Sequence, residues 1–429
     1  MALLIIGITS LLGFYMAWTI GANDFANSMG DAVGARAITI SQAVVLGALC
    51  EFGGAFLVGA HVTDTVRKGI VNPLHLAAAP EVFALGMICA LLACALWLHL
   101  ASWWGMPVST THSIVGGIAG FGLVAVGWHA VEWRKMAEIV TSWVISPLAG
   151  GLLAYAVFQL IRLAILGRDR PLVAARRYAP LFVFGVIFVI TMSVVFRSLD
   201  RLLARFHLTL TDRGSIVLSL VVAAALAALS RWWLVRYLGR DHERRPLQEQ
   251  LHRVERTFIP LVVLSSCSVA FAHGANDVAN AIGPLAAVAD VVRTGAIKIS
   301  VSVPPWILSL GGAGIIAGLA TYGHRVLATI GSGITQLTPS RGVAADVATA
   351  TTVLVCSRLK LPVSTTHTIV GAVIGISFAR GLGSVNGKVV REIVSSWLIT
   401  IPAAAILTAG LFYLGRVWGV DQLIRQAMP

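Results

Sequence analysis

A polar phrase of ten residues occurs twice in this chain and constrains its architecture more than any other feature. The first copy, Gly-Ala-Asn-Asp-Phe-Ala-Asn-Ser-Met-Gly, fills residues 21–30, and the second, Gly-Ala-Asn-Asp-Val-Ala-Asn-Ala-Ile-Gly, fills residues 274–283. A second phrase, Pro-Val-Ser-Thr-Thr-His, begins at Pro107 and again at Pro362. The phrases recur at offsets of 253 (274 − 21) and 255 (362 − 107) residues. Such spacing indicates a duplicated unit with a special site in each copy.

The surroundings of these phrases are typical of a polytopic, all-α membrane protein. Of the 429 residues, 57% are hydrophobic and only 12% are charged, about half of the ~25% charged share of a typical soluble protein. Solid apolar runs favour membrane-spanning helices over a β-barrel, in which apolar and polar residues alternate. Twelve spans are predicted, at about 3–22, 39–61, 81–101, 107–127, 138–163, 179–196, 214–235, 257–276, 297–320, 338–360, 362–381 and 389–416.

The order of the predicted spans indicates two inverted repeats. Five spans make the first unit, residues 1–165; two make a middle region, 166–256; and five make the second unit, 257–429. Because five is odd and the middle pair returns the chain to the same side, the second unit enters the membrane from the opposite face. The N-terminal run is expected to be the first span and not a cleaved signal, since no Lys or Arg precedes it.

Positive charge indicates the orientation in the membrane. The net charge is +13, and the basic residues cluster in two loops, 162–178 and 236–256, which flank the middle spans. The positive-inside rule places both loops in the cytoplasm and both termini outside it, and it accounts for the charge without nucleic acid. Arg67–Lys68 and Arg134–Lys135 fall on the outer side and count against this arrangement. The five cysteines stand singly without a C-x-x-C pair, which predicts neither a bound metal nor a redox cofactor.

Several acidic residues fall within the predicted spans, where an ionised side chain costs about 2.5–3.5 kcal/mol on insertion scales. Asp24 and Asp277 belong to the repeated phrase, whereas Glu51 and Asp346 do not. Because of this cost, all four are candidate functional residues. Asp31 and Asp64 are expected near an interface, and the role of Asp31 stays open.

The repeated Asn-Asp-x-x-Asn pattern predicts a cation site. Asn27 lies four residues after Asn23, and Asn280 four after Asn276, so each pair would share one face of a helix with the intervening Asp. Carboxylate and amide oxygens suit a hard cation such as Na⁺. The flanking glycines are expected to let the helix unwind and free backbone carbonyls for the ion. The same aspartates suit H⁺.

The repeated Pro-Val-Ser-Thr-Thr-His pattern predicts a helix that starts inside the membrane after a break. Pro suits the first turn and Ser or Thr the N-cap. The start of a helix offers free N–H groups and the positive end of its dipole, which together suit an anion. The hydroxyl groups that would add to a site for a tetrahedral oxyanion belong to Ser109, Thr110, Thr111, Ser364, Thr365 and Thr366.

An enzyme is not predicted, since Ser and His three residues apart with no orienting acid make a poor catalytic triad. The roles of His112 and His367 stay open between a structural and a ligand function. A channel for such an anion would need a continuous wide pore, which the paired helix breaks disfavour.

These phrases, with Val62 to Gly69 and the stretch from Phe271 to Ala286, resemble those of the inorganic phosphate transporter (PiT) family, in its bacterial type with a short middle region. The resemblance covers nearly the whole chain apart from the middle spans. It implies a secondary transporter of inorganic phosphate in the cell (inner) membrane, coupled to Na⁺ or H⁺ and working by alternating access as a homodimer. Sulfate or a metal–phosphate complex is the alternative substrate.

The resemblance also assigns residues to the two sites. It implies cation binding by Asp24, Asn27, Asp277 and Asn280. It implies phosphate binding by the Ser-Thr-Thr residues together with Asn23 and Asn276, and a transport role for Glu51 and Asp346. Asp31 stands where the family more often has Thr or another small residue, which bears on the choice of cation.

Overall fold

The protein is all-helical throughout the described part of the chain. The computed structural model describes residues 1–59, 70–71, 73–195, 211–239, 245–298, 303–329, 334–358, 363–381 and 385–429. Within them the only β pairing is an isolated bridge between Val71 and Val131. The stretch Val62 to Gly69, which includes Asp64 and Arg67–Lys68, lies outside the described residues, as do Arg244 and Pro362.

The first seven helices lie in the first unit and in the middle region up to Tyr237. They are α1 (Ala2–Gly34), α2 (Ile40–Val58), α3 (Pro80–Trp103), α4 (Thr110–Ala125), α5 (Trp133–Ile161), α6 (Pro171–Val194) and α7 (Asp212–Tyr237). A π-helical turn, Arg162–Leu166, extends α5. Short 3₁₀ turns at Pro73–Leu76 and Trp128–Ala130 lie in the connections on either side of α3 and α4.

The rest of the chain forms eight more helices. They are α8 (Leu247–Thr257), α9 (Ile259–Thr294), α10 (Pro305–Thr321), α11 (His324–Ala328), α12 (Pro339–Arg358), α13 (Thr365–Arg380), α14 (Gly387–Val417) and α15 (Val420–Gln426). Every predicted span overlaps one of these helices or one of the first seven.

Eight of the described segments are long and apolar enough to cross a membrane. They include α1, α2, α3, the continuous α8–α9 segment and α14. The helices α4 and α10 are apolar but only 16 and 17 residues long. The protein is therefore a helical, multi-span membrane protein.

The helices α1 and α9 carry the repeated polar phrases through the centre of the molecule. Each is a continuous α-helix across its phrase, so the predicted unwinding at the glycines is wrong. The glycine that opens each phrase permits close packing instead. A Cβ atom at Gly21 would overlap the backbone carbonyl of Ile315 in α10, and one at Gly274 would overlap that of Glu51 in α2. Small residues allow such close approach of helix backbones within membranes.

Candidate functional site

The first polar phrase presents Asp24 and Asn27 on one buried face of α1. The Nδ2 atom of Asn27 donates to Asp24 Oδ1 at 2.7 Å and to the Thr366 hydroxyl oxygen at 2.9 Å. The Thr366 hydroxyl group in turn donates to Asp24 Oδ1 at 3.4 Å. This threonine lies in the first turn of α13, so the first phrase meets a helix start from the second half of the chain.

The second polar phrase makes the reciprocal contacts. Asn280 Nδ2 lies 3.2 Å from Asp277 Oδ1 and 3.3 Å from the hydroxyl oxygens of both Thr110 and Thr111. The Thr111 hydroxyl group donates to Asp277 Oδ1 at 3.3 Å. Each Asp–Asn pair is therefore closed by the Ser-Thr-Thr segment of the other half. Neither Asp–Asn pair makes these contacts with the Ser-Thr-Thr segment of its own half.

Both Ser-Thr-Thr segments begin helices, as their sequence predicts. Ser109 is the N-cap of α4 and accepts from the His112 N–H group, and Ser364 is the N-cap of α13 and accepts from the His367 N–H group, both at 3.3 Å. Local N-capping explains why the chain restarts a helix at these points. Thr365 is half-buried at the first position of α13.

A histidine that the sequence reasoning did not select joins the two halves. His273 Nε2 lies 2.9 Å from Asp277 Oδ2 and 3.2 Å from Asp24 Oδ2, and its Nδ1 lies 3.5 Å from Glu51 Oε1. Its side chain is only 1% exposed. The available signal was its position four residues before Asp277, on the same face of α9.

Glu51 extends this cluster to α2. Its side chain is fully buried, and its Oε1 accepts from the Ser28 hydroxyl group at 2.9 Å. The cluster thus brings three carboxyl groups from three helices around one imidazole ring. Unpaired charge of this kind is expensive away from water unless a ligand or proton compensates it.

Several buried oxygens of the cluster accept no hydrogen bond within the described residues. Within the described residues, Asn27 Oδ1 and Glu51 Oε2 have no hydrogen-bond partner, while Asp24 Oδ2 and Asp277 Oδ2 approach only His273. Ligating atoms of Asp24, His273 and Asp277 lie within 4.8 Å of one another. Convergent oxygens with unused lone pairs fit a cation, so the residues present suit the predicted ion.

The two remaining asparagines of the phrases differ in their surroundings. Asn23 is fully buried and donates to Ser102 Oγ at 3.1 Å and to the Met106 carbonyl at 3.0 Å, while it accepts from the Val108 N–H group. Both of its amide hydrogens are used within the protein, where they tie α1 to the segment before α4. Asn276 is half-buried and donates to Asp277 Oδ1 at 3.2 Å. Asn276 is therefore the more accessible of the two to a ligand.

The two histidines of the Ser-Thr-Thr-His segments pack against each other between tryptophans. The ring centroids of His112 and His367 are 4.8 Å apart. His112 Nε2 accepts from Trp143 Nε1 at 3.0 Å, and His367 stacks on Trp397 at 3.7 Å. This packing places the starts of α4 and α13 side by side.

Asp346 lies in a second buried cluster. Its Oδ2 accepts from the hydroxyl groups of Ser265 at 2.6 Å and Ser266 at 2.8 Å. Asp31, which was expected near an interface, lies beside Gly342, four residues before Asp346 on α12, and its side chain is nearly as buried as that of Asp24. The two clusters are separated along α1 by seven residues, or about 10 Å of helix.

The arrangement of helices and buried polar clusters is that of a membrane transporter, and comparison with known proteins agrees with this class. The profile of the Phosphate transporter family matches residues 20–408. The chain belongs to this phosphate transporter family and is not an enzyme.

Similar proteins extend over almost the whole chain. A Haemophilus influenzae protein named "Putative phosphate permease" is 41% identical over 414 residues, which cover 96% of this chain and 97% of the relative. "Inorganic phosphate transporter 2-1, chloroplastic" of Arabidopsis thaliana is 44% identical over 93% of this chain and 70% of its own length. The solved structure titled "The sodium-dependent phosphate transporter" matches with a TM-score of 0.85 and 42% identity, covering 96% of this chain and 99% of that one.

Proposed function

We propose that this protein imports inorganic phosphate together with a cation, Na⁺ or H⁺, by alternating access. The crossed contacts of the polar phrases carry this proposal. Each Asp–Asn pair from one half of the chain meets a helix start from the other half, so groups suited to a cation and groups suited to an anion converge at one place. Because both halves contribute to each contact, a change in how the halves pack would open or close the site.

The anion is proposed to bind at the starts of α4 and α13. Free N–H groups, the helix dipoles and the hydroxyl groups of Thr110, Thr111, Thr365 and Thr366 would contact its oxygens. Ser109 and Ser364 shape these starts as N-caps, and Asn276 adds a donor from α9. Asn23 is better suited to holding the segment before α4 than to contacting the anion. Neither phrase contains Lys or Arg, so the cations would compensate the charge of the anion.

Phosphate fits this site better than sulfate does. At neutral pH phosphate still carries a proton to donate, whereas sulfate is an acceptor only. The hydroxyl groups of Thr110, Thr111, Thr365 and Thr366 accept as well as donate, so they can receive the proton of phosphate without using the oxygens assigned to the cation. An acceptor that meets no donor loses its hydrogen bonds to water without replacement, which penalises sulfate.

The cation is proposed to bind to the oxygens of Asp24, Asn27, Asp277 and Asn280. Glu51 contributes negative charge to this cluster through His273, and Asp346 acts from the second cluster. The sodium dependence named for the similar structure supports Na⁺ as a coupling ion here. No cofactor beyond the coupling ion is invoked.

Twelve spans in two inverted repeats are proposed as the framework of this mechanism, with residues 1–165 and 257–429 as the repeats. Reciprocal packing supports the inverted relation: α4 packs on α14, and its counterpart α13 packs on α5. Likewise α2 packs on α9 and α10 packs on α1. The basic loops 162–178 and 236–256 would face the cytoplasm in the cell (inner) membrane, and the family resemblance supports a homodimer.

Uptake by purified protein in proteoliposomes tests the function. Labelled phosphate and labelled sulfate are offered separately, with an imposed Na⁺ gradient, an imposed H⁺ gradient or neither. Concentrative uptake of phosphate that needs a cation gradient is expected. Preferential uptake of sulfate would show that sulfate is the substrate in place of phosphate. Phosphate flux that only follows the phosphate gradient would indicate a channel.

A further inference from the structure

The second buried cluster joins three helices away from the Asp24–Asp277 cluster. Asp31 comes from the last turn of α1, Asp346 from the middle of α12, and Ser265 and Ser266 from the first half of α9. Asp31 lies beside Gly342 of α12, one helical turn before Asp346, because a Cβ atom placed at Gly342 would be 3.5 Å from the Cβ atom of Asp31. Both acidic side chains are buried, with exposed fractions of 2% and 1%. Two acids are thus held together away from water.

The free and occupied oxygens of the pair are distributed unevenly. Oδ2 of Asp346 accepts from both serine hydroxyl groups, whereas its Oδ1 has no hydrogen-bond donor within the described residues. Both carboxyl oxygens of Asp31 likewise have none. Two ionised carboxylates cannot hydrogen-bond to each other, since neither has a proton to donate.

Basic side chains on the neighbouring elements are engaged elsewhere. The Arg341 guanidinium group on α12 donates to the Gln336 carbonyl oxygen and lies 5.7 Å from the centre of the Phe158 ring. Arg380 of α13 donates to Thr335. Of the other ionisable groups nearby, Glu255 of α8 accepts from the Ser340 hydroxyl group, and Cys267 directly follows Ser266 on α9. Within the described residues no Lys or Arg forms an ion pair with Asp31 or Asp346.

The number of free oxygens favours a proton over a metal cation at this place. The pair offers three carboxyl oxygens without a partner, and its helical backbone carbonyls are used within the helices. A hard cation such as Ca²⁺ or Mg²⁺ takes about six oxygen ligands or more. One proton between two carboxyl groups needs only two oxygens, and two acids that share a buried site commonly hold one proton between them.

We propose that Asp31 and Asp346 form a proton-binding site in which one acid is always the donor and the other always the acceptor. Asp31 carries the proton and donates it to Oδ1 of Asp346, which stays ionised because two serine hydroxyl groups hydrogen-bond to its Oδ2. Release of the proton leaves two carboxylates in contact, which favours separation of α1 from α12. Proton binding and the packing of these helices are thereby linked.

The site occurs in one half of the molecule only. The position that corresponds to Asp31 at the offset of 253 is Pro284 (284 − 253), which has no ionisable group. The second half of the chain therefore has no equivalent proton site. The single site adds one proton to the ions bound by the Asp24–Asp277 cluster. This consequence for transport rests on the proposed function, whereas the proton site itself does not.

Infrared spectroscopy of the purified protein in lipid tests the proton site directly. The difference spectrum between wild type and Asp31→Asn at neutral pH is expected to contain the carbonyl band of one protonated carboxylic acid. Asp346→Asn should keep the carbonyl band of protonated Asp31 but change its frequency, because the Asp346 carboxylate no longer accepts the hydrogen bond from Asp31. Asp290→Asn is the control, since Asp290 accepts from Lys298 Nζ at 3.1 Å and lies outside the cluster. If wild type and Asp31→Asn show the same absorption in the region of protonated carboxylic acids, the proposed proton site is overturned.

A transport measurement tests the consequence separately. In proteoliposomes, Asp31→Asn is expected to lose most of the stimulation of phosphate uptake by an acidic outside, while stimulation by a Na⁺ gradient persists. The asparagine is isosteric and mimics the protonated acid, so the fold should be kept. A full response to the pH gradient in Asp31→Asn would overturn the role in coupling. If wild type takes up no phosphate, the proposed function fails, but the infrared result still decides the proton site.

Discussion

The two copies of the polar phrase share their framework and differ in the residues beside it. In both, an Asp and an Asn bond to a threonine at a helix start from the opposite half. The second copy alone is preceded by a histidine, His273, where the first has Ile20 (273 − 253). The first copy alone is followed by an acid, Asp31, where the second has Pro284. Duplication thus accounts for the contacts that both copies make. His273 and Asp31, which have no equivalent in the other half, make the two halves chemically different.

Substitution of the shared aspartates should have the largest effect. Asp24→Asn and Asp277→Asn are each expected to lower concentrative phosphate uptake in proteoliposomes by more than a hundredfold, about 2.7 kcal/mol or more, because each removes a charged ligand that the other half does not replace. Asp290→Asn, outside the cluster and paired with Lys298, is the matched control. Near-normal coupled uptake by either variant would contradict the cation assignment.

The unmatched histidine offers the sharpest contrast between the copies. His273→Asn should reduce uptake about tenfold, because three buried carboxyl groups then lack the imidazole ring that lies among them. The protein should still be recovered folded, as judged by size-exclusion chromatography in detergent. His252→Asn, on α8 and away from the cluster, should leave uptake unchanged. An unaltered rate and cation dependence in His273→Asn would show that the ring only fills space.

The opening glycines should respond alike in both copies. Gly21→Ala and Gly274→Ala each place a Cβ atom against a carbonyl of a neighbouring helix, and overpacking of this kind costs about 1–3 kcal/mol. A lower midpoint of thermal unfolding in detergent is expected for both. Gly7→Ala is the control on α1, since a Cβ there meets nothing within 4 Å. Unchanged midpoints would mean that the helix contacts are looser than described.

The threonines should have the smallest effect. Thr110→Val and Thr366→Val each remove a hydroxyl group at the proposed anion site, and a neutral hydrogen bond contributes about 0.5–1.5 kcal/mol. The KM for phosphate should therefore rise about threefold to tenfold in uptake assays, with a smaller change for the cation. Thr368→Val removes only a bond to the Ser364 carbonyl on the same helix and should leave KM unchanged. Equal KM values in all three would count against the anion site.

Much of this arrangement could be predicted from the sequence because it depends on local chemistry and repetition. Solid apolar runs predicted the helices, and the Ser-Thr-Thr pattern predicted the helix starts capped by Ser109 and Ser364. Doubling of the phrase made Asp24 and Asp277 candidates for the same function, and the structure places both against His273.

The remaining features depend on tertiary packing, which no local pattern encodes. The crossed pairing of Asn27 with Thr366 follows from which helix starts end up adjacent. The phrases are helical, and Gly21 and Gly274 permit close contact with Ile315 and Glu51; glycine also permits unwinding, and the sequence alone does not distinguish the two uses. His273 has no repeated partner, so a search for repeats passes over it, and the meeting of Asp31 with Asp346 joins positions that no motif links.

Binding of labelled phosphate to the purified protein tests most directly the central claim that both halves build one site. Phosphate binding is measured with and without Na⁺, and at two pH values, in wild type, Asp24→Asn and Asp277→Asn. Wild-type binding is expected to depend on the cation, and either substitution alone is expected to remove that dependence. Retention of full cation-dependent binding by one of the two variants would mean that the two phrases act as separate sites, and would contradict the central claim.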